Sequence, residues 1–169
     1  MDRNQLISEA KQGQRQALVD LIMERKDDYY RLAYVLTGNP HDAGDAMEDM
    51  ILILFEKIHQ LRDGDAFFSW SRTILGNCCR KILRERRREM PMEQLSDQAA
   101  AADLDTEEKM VLETGLMRLG KPYREVIRLR YYLDYDYQAV ADTLSIPLGT
   151  VKSRLSQGLK KLKTILECE

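Results

Sequence analysis

The stretch "SIPLGTVKSRLSQGLKKLK", residues 145–163, holds five basic residues and no acidic one, although the whole chain of 169 residues has a formal net charge of −2. Its apolar residues recur at spacings of three and four, which predicts a helix from residue 148 to about 166 with one buried stripe. The stripe consists of Leu148, Val151, Leu155, Leu159 and Leu162. Polar and basic side chains then lie on the opposite, exposed side of this helix.

A second helix is predicted immediately before this one, over "YQAVADTL" at 137–144. Asp136 is a good N-cap for it, and Pro147 fits the start of the helix that follows. Two helices joined by such a short turn, the second of them basic, are typical of a helix-turn-helix unit that binds DNA. The side chains expected to reach bases and phosphates are Lys152, Ser153, Ser156, Gln157 and Lys160. The alternative is an amphipathic helix whose lysines are merely solvated.

Charge is segregated along the rest of the chain as well. Residues 1–79 carry a net charge of −4, residues 80–88 carry +5, residues 89–108 carry −7, and residues 109–169 carry +4. A polyanion senses such a local block within a Debye length of about 8 to 10 Å, so the blocks matter more than the overall charge.

The apolar spacing is helical along nearly the whole chain, and no alternation typical of strands competes with it. The segment 89–107 contains Pro91, an alanine run and acidic residues, which indicates a linker. We therefore predict an all-α fold with two small helical domains, over 1–88 and 108–169, joined by this acidic linker. No run of about 18 apolar residues and no apolar signal segment is present, so we expect a cytoplasmic chain without membrane insertion.

The first domain ends in "RKILRERRR" at 80–88, on a helix predicted to begin near Trp70 after a loop over 62–69. Three aromatic residues, Phe67, Phe68 and Trp70, stand beside this loop. Aromatic rings stack on unpaired bases while basic side chains follow the backbone, so the combination suits a melted strand. The alternatives are a solubilising tail and aromatic rings in the core, and we expect at least one ring to be buried.

The helix predicted over 45–61 carries more apolar surface than one buried stripe requires, which indicates a protein-docking face. A carboxylate metal site is the alternative, but Asp45, Glu48 and Asp49 lack a supporting motif. We expect no metal and no cofactor. The three cysteines lack ligand spacing, so reduced and partly buried thiols are expected.

Three segments resemble the extracytoplasmic-function (ECF) sigma factors of bacterial RNA polymerase, and they occur in the family's order. They are "DAGDAMEDMILILFEKI" at 42–58, "FFSWSRTILGNCCRKILRERRR" at 67–88 and "LGKPYREVIRLRYYLDYDYQAVADTLSIPLGTVKSRL" at 119–155. The resemblance implies a first domain that docks on core RNA polymerase and captures the −10 strand of promoter DNA, and a second that recognises the −35 element as duplex. It also implies an anti-sigma factor as a partner.

The resemblance carries roles to individual positions. The residues implied in core polymerase binding are Asp45, Glu48, Asp49, Ile51, Leu52 and Phe55. Those implied at the −10 strand and in melting are Phe67, Phe68, Trp70, Thr73, Asn77, Arg80, Arg84 and Arg87. Those implied at the −35 element are Lys152, Ser153, Arg154, Ser156, Gln157 and Lys160. Ser145 replaces the family's common turn glycine, so we expect an unfavourable backbone angle there.

Two other classes remain open at this point. A free-standing helix-turn-helix regulator would bind duplex DNA alone, whereas a sigma factor binds weakly until core polymerase is added. A helical enzyme would need a nucleophile–base pair, a phosphate loop or metal spacing, and the sequence offers none of these motifs. The chain is therefore expected not to be an enzyme.

Overall fold

The structure is a computed structural model that describes residues 2–89 and 106–168. Its α-helices are α1 Arg3–Lys11, α2 Arg15–Glu24, α3 Lys26–Thr37, α4 Pro40–Lys57, α5 Phe67–Glu89, α6 Glu107–Arg118, α7 Lys121–Ile127, α8 Tyr137–Leu144 and α9 Leu148–Glu167. No strand occurs within these described ranges, so the prediction of an all-α fold is confirmed. Helices α1–α5 lie in the predicted first domain and α6–α9 in the predicted second, and these names are kept below.

Helix α4 crosses the centre of the first domain between α3 and α5. Ala46, Met50 and Leu54 recur at intervals of four residues and are fully buried, so they form its inner face. The helix begins earlier than predicted, at Pro40, because the side chain of Asn39 accepts hydrogen bonds from the backbone amides of His41 and Asp42. A capping Asn followed by Pro is a strong start signal that outweighs the aspartates further on.

Helix α5 also begins earlier than the sequence predicted. A short 3₁₀ turn at Gly64–Ala66 follows Asp63, and the α-helix starts at Phe67 rather than at Trp70. The predicted loop over 62–69 is therefore wrong in its last three residues. The physical reason is burial: Phe67 is fully buried and Phe68 is nearly so, and their rings meet edge to face at 5.4 Å.

The second domain contains the predicted helix-turn-helix, formed by α8 and α9. Asp136 caps α8 by accepting a hydrogen bond from the amide of Ala139, at 2.7 Å. The turn between the helices includes Ser145, whose φ of 55° lies in the left-handed region, as the sequence predicted. Both helices therefore begin and end where the sequence indicated, to within one residue.

The predicted stripe of α9 is wrong at two of its five positions. Val151, Leu155 and Leu162 are buried, but Leu148 and Leu159 are 36% and 39% exposed. The inward position between Leu155 and Leu162 belongs to Gly158, which is buried against α7. Leu159 is consequently turned about 100° away from the interior.

A buried ion pair joins α6 to the turn after α7. The guanidinium of Arg128 contacts the carboxylate of Glu113, and both side chains are almost fully buried. Tyr132 donates a hydrogen bond to the other carboxylate oxygen of Glu113, at 3.0 Å. The buried charges are thus paired, and loss of either partner would leave the other uncompensated.

The two domains touch through α5 and α8. Helix α5 extends to Glu89 and α6 begins at Glu107, whereas the predicted linker lies almost entirely at 90–105, outside the described residues. Within the described ranges, no helix has both the length and the hydropathy needed to span a membrane.

Candidate nucleic-acid interface

Helix α9 presents a continuous polar surface to solvent, here called the recognition face. Its exposed members are Lys152, Ser153, Ser156, Gln157 and Lys160. Val151 and Leu155, on the other side of the helix, are buried. This separation places two ammonium groups, two hydroxyls and one amide on the solvent side, where they can approach the edges of bases and the phosphates of a major groove.

Arg154 differs from its neighbours on α9 because it is only half exposed. With Ser153 and Gln157 it lines an open depression of about 430 Å³ between α7 and α9. Its guanidinium also acts electrostatically on the buried carboxyl group of Glu125. Arg154 therefore lies at the border of the recognition face rather than at its centre.

One residue of this surface was missed by the sequence analysis. The hydroxyl of Tyr123, on α7, donates a hydrogen bond to Oε1 of Gln157 at 3.2 Å, and Nε2 of Gln157 donates to Oγ of Ser153 at 3.4 Å. The signal that could have indicated this contact is Gly158, a small residue at an inward position of α9, which permits a close approach by another helix.

Helix α5 carries a second predicted surface, here called the strand face: Trp70, Thr73, Asn77 and Arg80. Spacings of three and four bring these residues to one side of the helix. Asn77 is exposed, and the other three are half-buried. Trp70 and Thr73 line an open depression together with residues of α8 and the turn after it, so the strand face adjoins the second domain.

Arg80 makes the most extensive contacts of the strand face. Its Nη1 donates to the carbonyl oxygen of Thr143 at 3.1 Å, and its Nη2 donates to Oγ of Ser145 at 3.2 Å and contacts Oδ1 of Asn77. Desolvation lowers the pKa of this guanidinium, partly opposed by the negative charge of Glu125. The residue implied at the −10 strand is thus engaged by the helix-turn-helix in this arrangement.

Phe67 and Phe68 do not belong to the strand face. Both rings are buried in the first domain, and the guanidinium carbons of Arg3 and Arg25 lie 4.8 and 4.4 Å from the ring centre of Phe68. Their burial corrects the expectation that they stack on bases, because a ring closed in by protein on its faces has no surface left for a base. The core interpretation given as the alternative holds for these two rings.

The arginines of the basic run at the end of α5 have different surroundings: some face solvent, and one forms an ion pair within the first domain. Arg84 and Arg87 are exposed, as expected of residues that meet a phosphate backbone. Arg86 instead forms an ion pair with the nearly buried carboxylate of Asp42, with 2.6 Å between Nη1 and Oδ2. The run therefore contains both candidate DNA contacts and an arginine whose ion pair joins two helices of the first domain.

The exposed side of α4, here called the docking face, contains the positions that the resemblance implies in polymerase binding. They are Asp45, Glu48, Asp49, Ile51, Leu52 and Phe55. Leu52 is 62% exposed, and Ile51 and Phe55 are half-buried beside it. An exposed leucine bordered by carboxylates is the composition expected of a protein-docking surface.

Glu125 lies near the meeting point of the two domains. Burial raises the pKa of its carboxyl group, although the positive charges of Lys121 and Arg80 act in the opposite direction. The ammonium of Lys121 lies 3.8 Å from Oε1 of Glu125. The carboxylate of Glu125 therefore interacts electrostatically with Lys121 and with Arg80 of the strand face.

The cysteines are free thiols, with Cys78 and Cys79 buried and Cys168 exposed. Burial raises the pKa of Cys78 to about 11 and that of Cys79 to about 12, so these two thiols are protonated at neutral pH. In the part of the chain that the structure describes, no group of three or more His, Cys, Asp or Glu side chains is arranged to hold a metal ion.

Two family models match the chain. The model of sigma-70 region 2 matches residues 21–89, and the model of sigma-70 region 4 matches residues 109–162. The first match contains the docking face and the strand face, and the second contains the recognition face. Each of the three surfaces therefore lies within a matched region.

Relatives and solved structures point to the same family. The ECF RNA polymerase sigma factor SigM of Mycobacterium tuberculosis is 30% identical, with 91% of this chain and 79% of SigM covered. SigE of Mycolicibacterium smegmatis is 30% identical over 87% of this chain, which spans 60% of that protein's length. The sigma factor RpoE of Bartonella quintana, solved in complex with the anti-sigma factor NepR, has a TM-score of 0.63 and 25% identity, with 88% of this chain and 97% of that chain covered. With three predicted surfaces on the helices of two matched regions, this chain belongs to the ECF sigma factors of bacterial RNA polymerase.

Proposed function

We propose that this chain directs core RNA polymerase to specific promoters and takes part in opening them. The docking face of α4 binds the polymerase, the recognition face of α9 contacts the −35 element as duplex, and the strand face of α5 with Arg84 and Arg87 binds the −10 strand. We assign docking and strand capture to residues 1–88 and duplex recognition to residues 108–169, with 89–107 as the linker. The chain performs no catalytic chemistry of its own.

The exposure of the recognition face supports this proposal most directly. Ser153 and Gln157 lie one turn apart on a helix whose opposite side is buried, so both side chains face solvent, and the hydrogen-bonding capacity left over from their contact with each other can serve bases in the major groove. Lys152 and Lys160 flank them and can neutralise phosphates, each such contact releasing counterions. A helix with this division between its two sides fits a DNA groove and leaves the domain core intact.

We also infer an anti-sigma partner and a cytoplasmic location. The Bartonella quintana relative was solved with the anti-sigma factor NepR, which supports a partner of this class for the present chain. A chain that binds promoter DNA and RNA polymerase acts where the chromosome is, and in a bacterium this is the cytoplasm.

In vitro transcription on a promoter library tests the proposal, with purified core polymerase in the presence and absence of the chain. A sigma factor yields transcripts from a subset of promoters only when both are present. A free-standing regulator would instead bind duplex DNA tightly alone and add no transcripts, which would overturn the proposal.

A pair of variants tests the assignment of the −35 element. Ser153→Ala combined with Gln157→Ala should reduce discrimination among upstream elements, by about 1–3 kcal/mol for each base that the helix no longer reads. Ser8→Ala combined with Gln12→Ala is the matched control, since both positions are away from α9 and also lie one turn apart, at α1. An equal loss of activity on every promoter would contradict the role of α9 in recognition.

A further inference from the structure

Tyr123 is held against α9 by the absence of a side chain at Gly158. A β-carbon on Gly158 would lie 3.1 Å from Cβ of Tyr123 and 3.2 Å from Cδ1 of Ile127, so glycine permits this packing. The ammonium of Lys161 lies 5.2 Å from the centre of the tyrosine ring. The ring is therefore fixed between α7 and α9, with its hydroxyl at the edge of the recognition face.

That hydroxyl helps to fix the position of the Gln157 amide. It donates to Oε1, and Nε2 donates in turn to Oγ of Ser153. An exposed glutamine side chain without such partners samples many rotamers. With these partners the amide is held at one place on the recognition face, and one lone pair of Oε1 and one hydrogen of Nε2 stay free for a base.

We propose that Tyr123 is a positioning residue for promoter recognition, which orients the Gln157 amide for a base in the major groove. Adenine offers there the matching pair, a donor at N6 and an acceptor at N7, so adenine is the base that the oriented amide selects. This inference rests on the proposed function, because it assumes that α9 enters the −35 element.

Tyr123→Phe tests the role, since it keeps the ring and removes only the hydroxyl. The polymerase bound to this variant is compared with wild type on promoters randomised at the upstream element. The preference for adenine at one position should fall by about two- to tenfold, the usual effect of one neutral hydrogen bond, with the other positions unchanged. Tyr137→Phe, an exposed tyrosine of the same domain, is the matched control.

A double-mutant comparison separates positioning from a general structural effect. In a Gln157→Ala background, Tyr123→Phe should cause no further loss of discrimination. An equal effect in both backgrounds, or none in the wild-type background, would overturn the inference. If Gln157→Ala itself left upstream preference intact while transcription continued, the assignment of α9 within the proposed function would fail.

A separate observation concerns the contact between α5 and the end of α8. The last carbonyl groups of a helix lack donors within the helix; in α8 those of Ala141 and Asp142 accept from the backbone amides of Ile146 and Ser145, and that of Thr143 accepts from α5. Arg80 donates to the carbonyl of Thr143, and Oγ1 of Thr73, which donates to the carbonyl of Ser69 in its own helix at 3.0 Å, lies 3.3 Å from the carbonyl oxygen of Asp142. A cation at the carboxyl end of a helix is also electrostatically favourable.

Gly76 makes this contact possible. A β-carbon at this position would lie 2.4 Å from the carbonyl oxygen of Thr143, so any other residue would force the two helices apart. Nearby, the guanidinium of Arg72 lies 4.8 Å from the ring centre of Tyr135, which is a second contact from α5 to the second domain. At Gly76 the backbone of α5 thus lies directly against the backbone of α8.

The contact covers only one of the three functional surfaces. Arg80 and Thr73 use their polar groups on α8, whereas Leu52 of the docking face and Gln157 of the recognition face remain exposed. We infer that the contact of Thr73, Gly76 and Arg80 with α8 is a latch. In the closed chain this contact occupies part of the strand face and excludes the opened −10 strand, so strand capture follows separation of the domains.

Gly76→Ala tests the latch on the full chain without polymerase. Its radius of gyration in small-angle scattering should increase, and its affinity for a single-stranded −10 oligonucleotide should rise about three- to tenfold as the competing closed state is depopulated. Affinity for duplex −35 DNA should stay unchanged. Gly44→Ala is the matched control, because a β-carbon on Gly44 would meet nothing within 4 Å.

Arg80→Lys is the second variant, in case Gly76→Ala perturbs folding as judged by circular dichroism. Lysine keeps the positive charge but cannot span two acceptors as the guanidinium does, so it should also open the chain. Unchanged scattering in the folded variants would overturn the latch, and so would unchanged strand affinity in a folded Gly76→Ala; Arg80→Lys is judged by scattering alone, since Arg80 belongs to the strand face. Loss of promoter-specific transcription with opening intact would count against the proposed function instead.

Discussion

Nη1 of Arg86 lies 2.6 Å from Oδ2 of Asp42, and this ion pair joins α5 to the first turn of α4. The side chain of Asp42 is 7% exposed and that of Arg86 is 31% exposed. A buried carboxylate depends on its partner, because removal of the cation leaves the charge without compensation. Arg86 therefore contributes to the stability of the first domain, although its neighbours Arg84 and Arg87 face solvent.

Arg86→Ala should lower the free energy of unfolding by about 1–3 kcal/mol, the cost of leaving a charged hydrogen-bonding group unsatisfied. Urea unfolding followed by circular dichroism measures this change. Arg87→Ala is the control and should change stability by less than about 0.5 kcal/mol, as usual for an exposed substitution. Equal effects of the two variants would contradict the structural role of Arg86.

Arg84→Ala combined with Arg87→Ala should weaken binding to all DNA sequences alike. Each phosphate contact contributes a slope of about 0.9 in the plot of log affinity against log salt, so the slope should decrease by up to about 2. Fluorescence anisotropy of the complete polymerase complex over a series of salt concentrations measures it. Lys26→Ala with Lys57→Ala, two exposed positions elsewhere in the first domain, should leave the slope as it is.

Leu52→Asp should weaken binding of the chain to core polymerase by about tenfold or more, since it introduces a charge into an apolar contact. The side chain is 62% exposed, so the fold should tolerate the change. Surface plasmon resonance with immobilised core polymerase measures the affinity. Met23→Asp alters another exposed apolar side chain, 56% exposed, on α2 and should have little effect. Similar losses in both variants would argue against a docking face on α4.

Alkaline pH should destabilise the first domain through its buried thiols. Burial raises the pKa of Cys79 from 9.0 to about 12 and that of Cys78 from 9.0 to about 11, so the folded chain retains protons that the unfolded chain releases. Stability should be constant below pH 9 and fall above it, by about 1.4 kcal/mol per pH unit for each group. Urea midpoints between about pH 7 and 11 test this.

The controls for the alkaline effect are cysteine variants. In Cys79→Ala, stability should fall less steeply above pH 9, because one of the two titrating thiols is gone. This holds whatever the substitution does to stability at neutral pH. Cys168→Ala removes an exposed thiol and provides the comparison. A decline of the same steepness in Cys79→Ala and wild type would assign the alkaline sensitivity to other groups, Tyr29 first, whose pKa burial raises to about 12.

Local signals predicted the helix-turn-helix well. Asp136 as a cap, Pro147 at the start of α9 and the spacing of Val151 and Leu155 are properties of neighbouring residues, and the structure contains each of them. The backbone angle at Ser145 was expected from the resemblance, because a serine stands there in place of the family's common turn glycine. Features of this kind are visible in the sequence because a few consecutive residues determine them.

Contacts between distant helices were not predictable in the same way. Gly158 takes an inward position of α9 because α7 approaches there, which turns Leu159 outward. Phe68 is buried by neighbours that include Arg3 and Arg25, far away in sequence. Periodicity indicates that a side chain points inward, but the size of the residue that fits depends on which helix is opposite.

The candidate sites also differ in whether local sequence signals or contacts between distant helices determine them. The recognition face was identified because its residues lie on one helix with a strong pattern. The different roles of Arg86 and Arg87 depend on Asp42, and the engagement of Arg80 depends on Thr143, so both require the tertiary arrangement. A run of arginines in a sequence does not distinguish those that bind a phosphate from those that bind a carboxylate.

The left-handed backbone at Ser145 has an evolutionary consequence. Glycine at this turn would relieve about 1 kcal/mol of steric cost, but it would also remove the hydroxyl that accepts a hydrogen bond from Arg80. Thermal robustness and control of promoter opening therefore make opposite demands on one side chain. A lineage under selection for heat tolerance alone would replace this serine by glycine. It would then lose one of the hydrogen bonds that hold α5 against the helix-turn-helix.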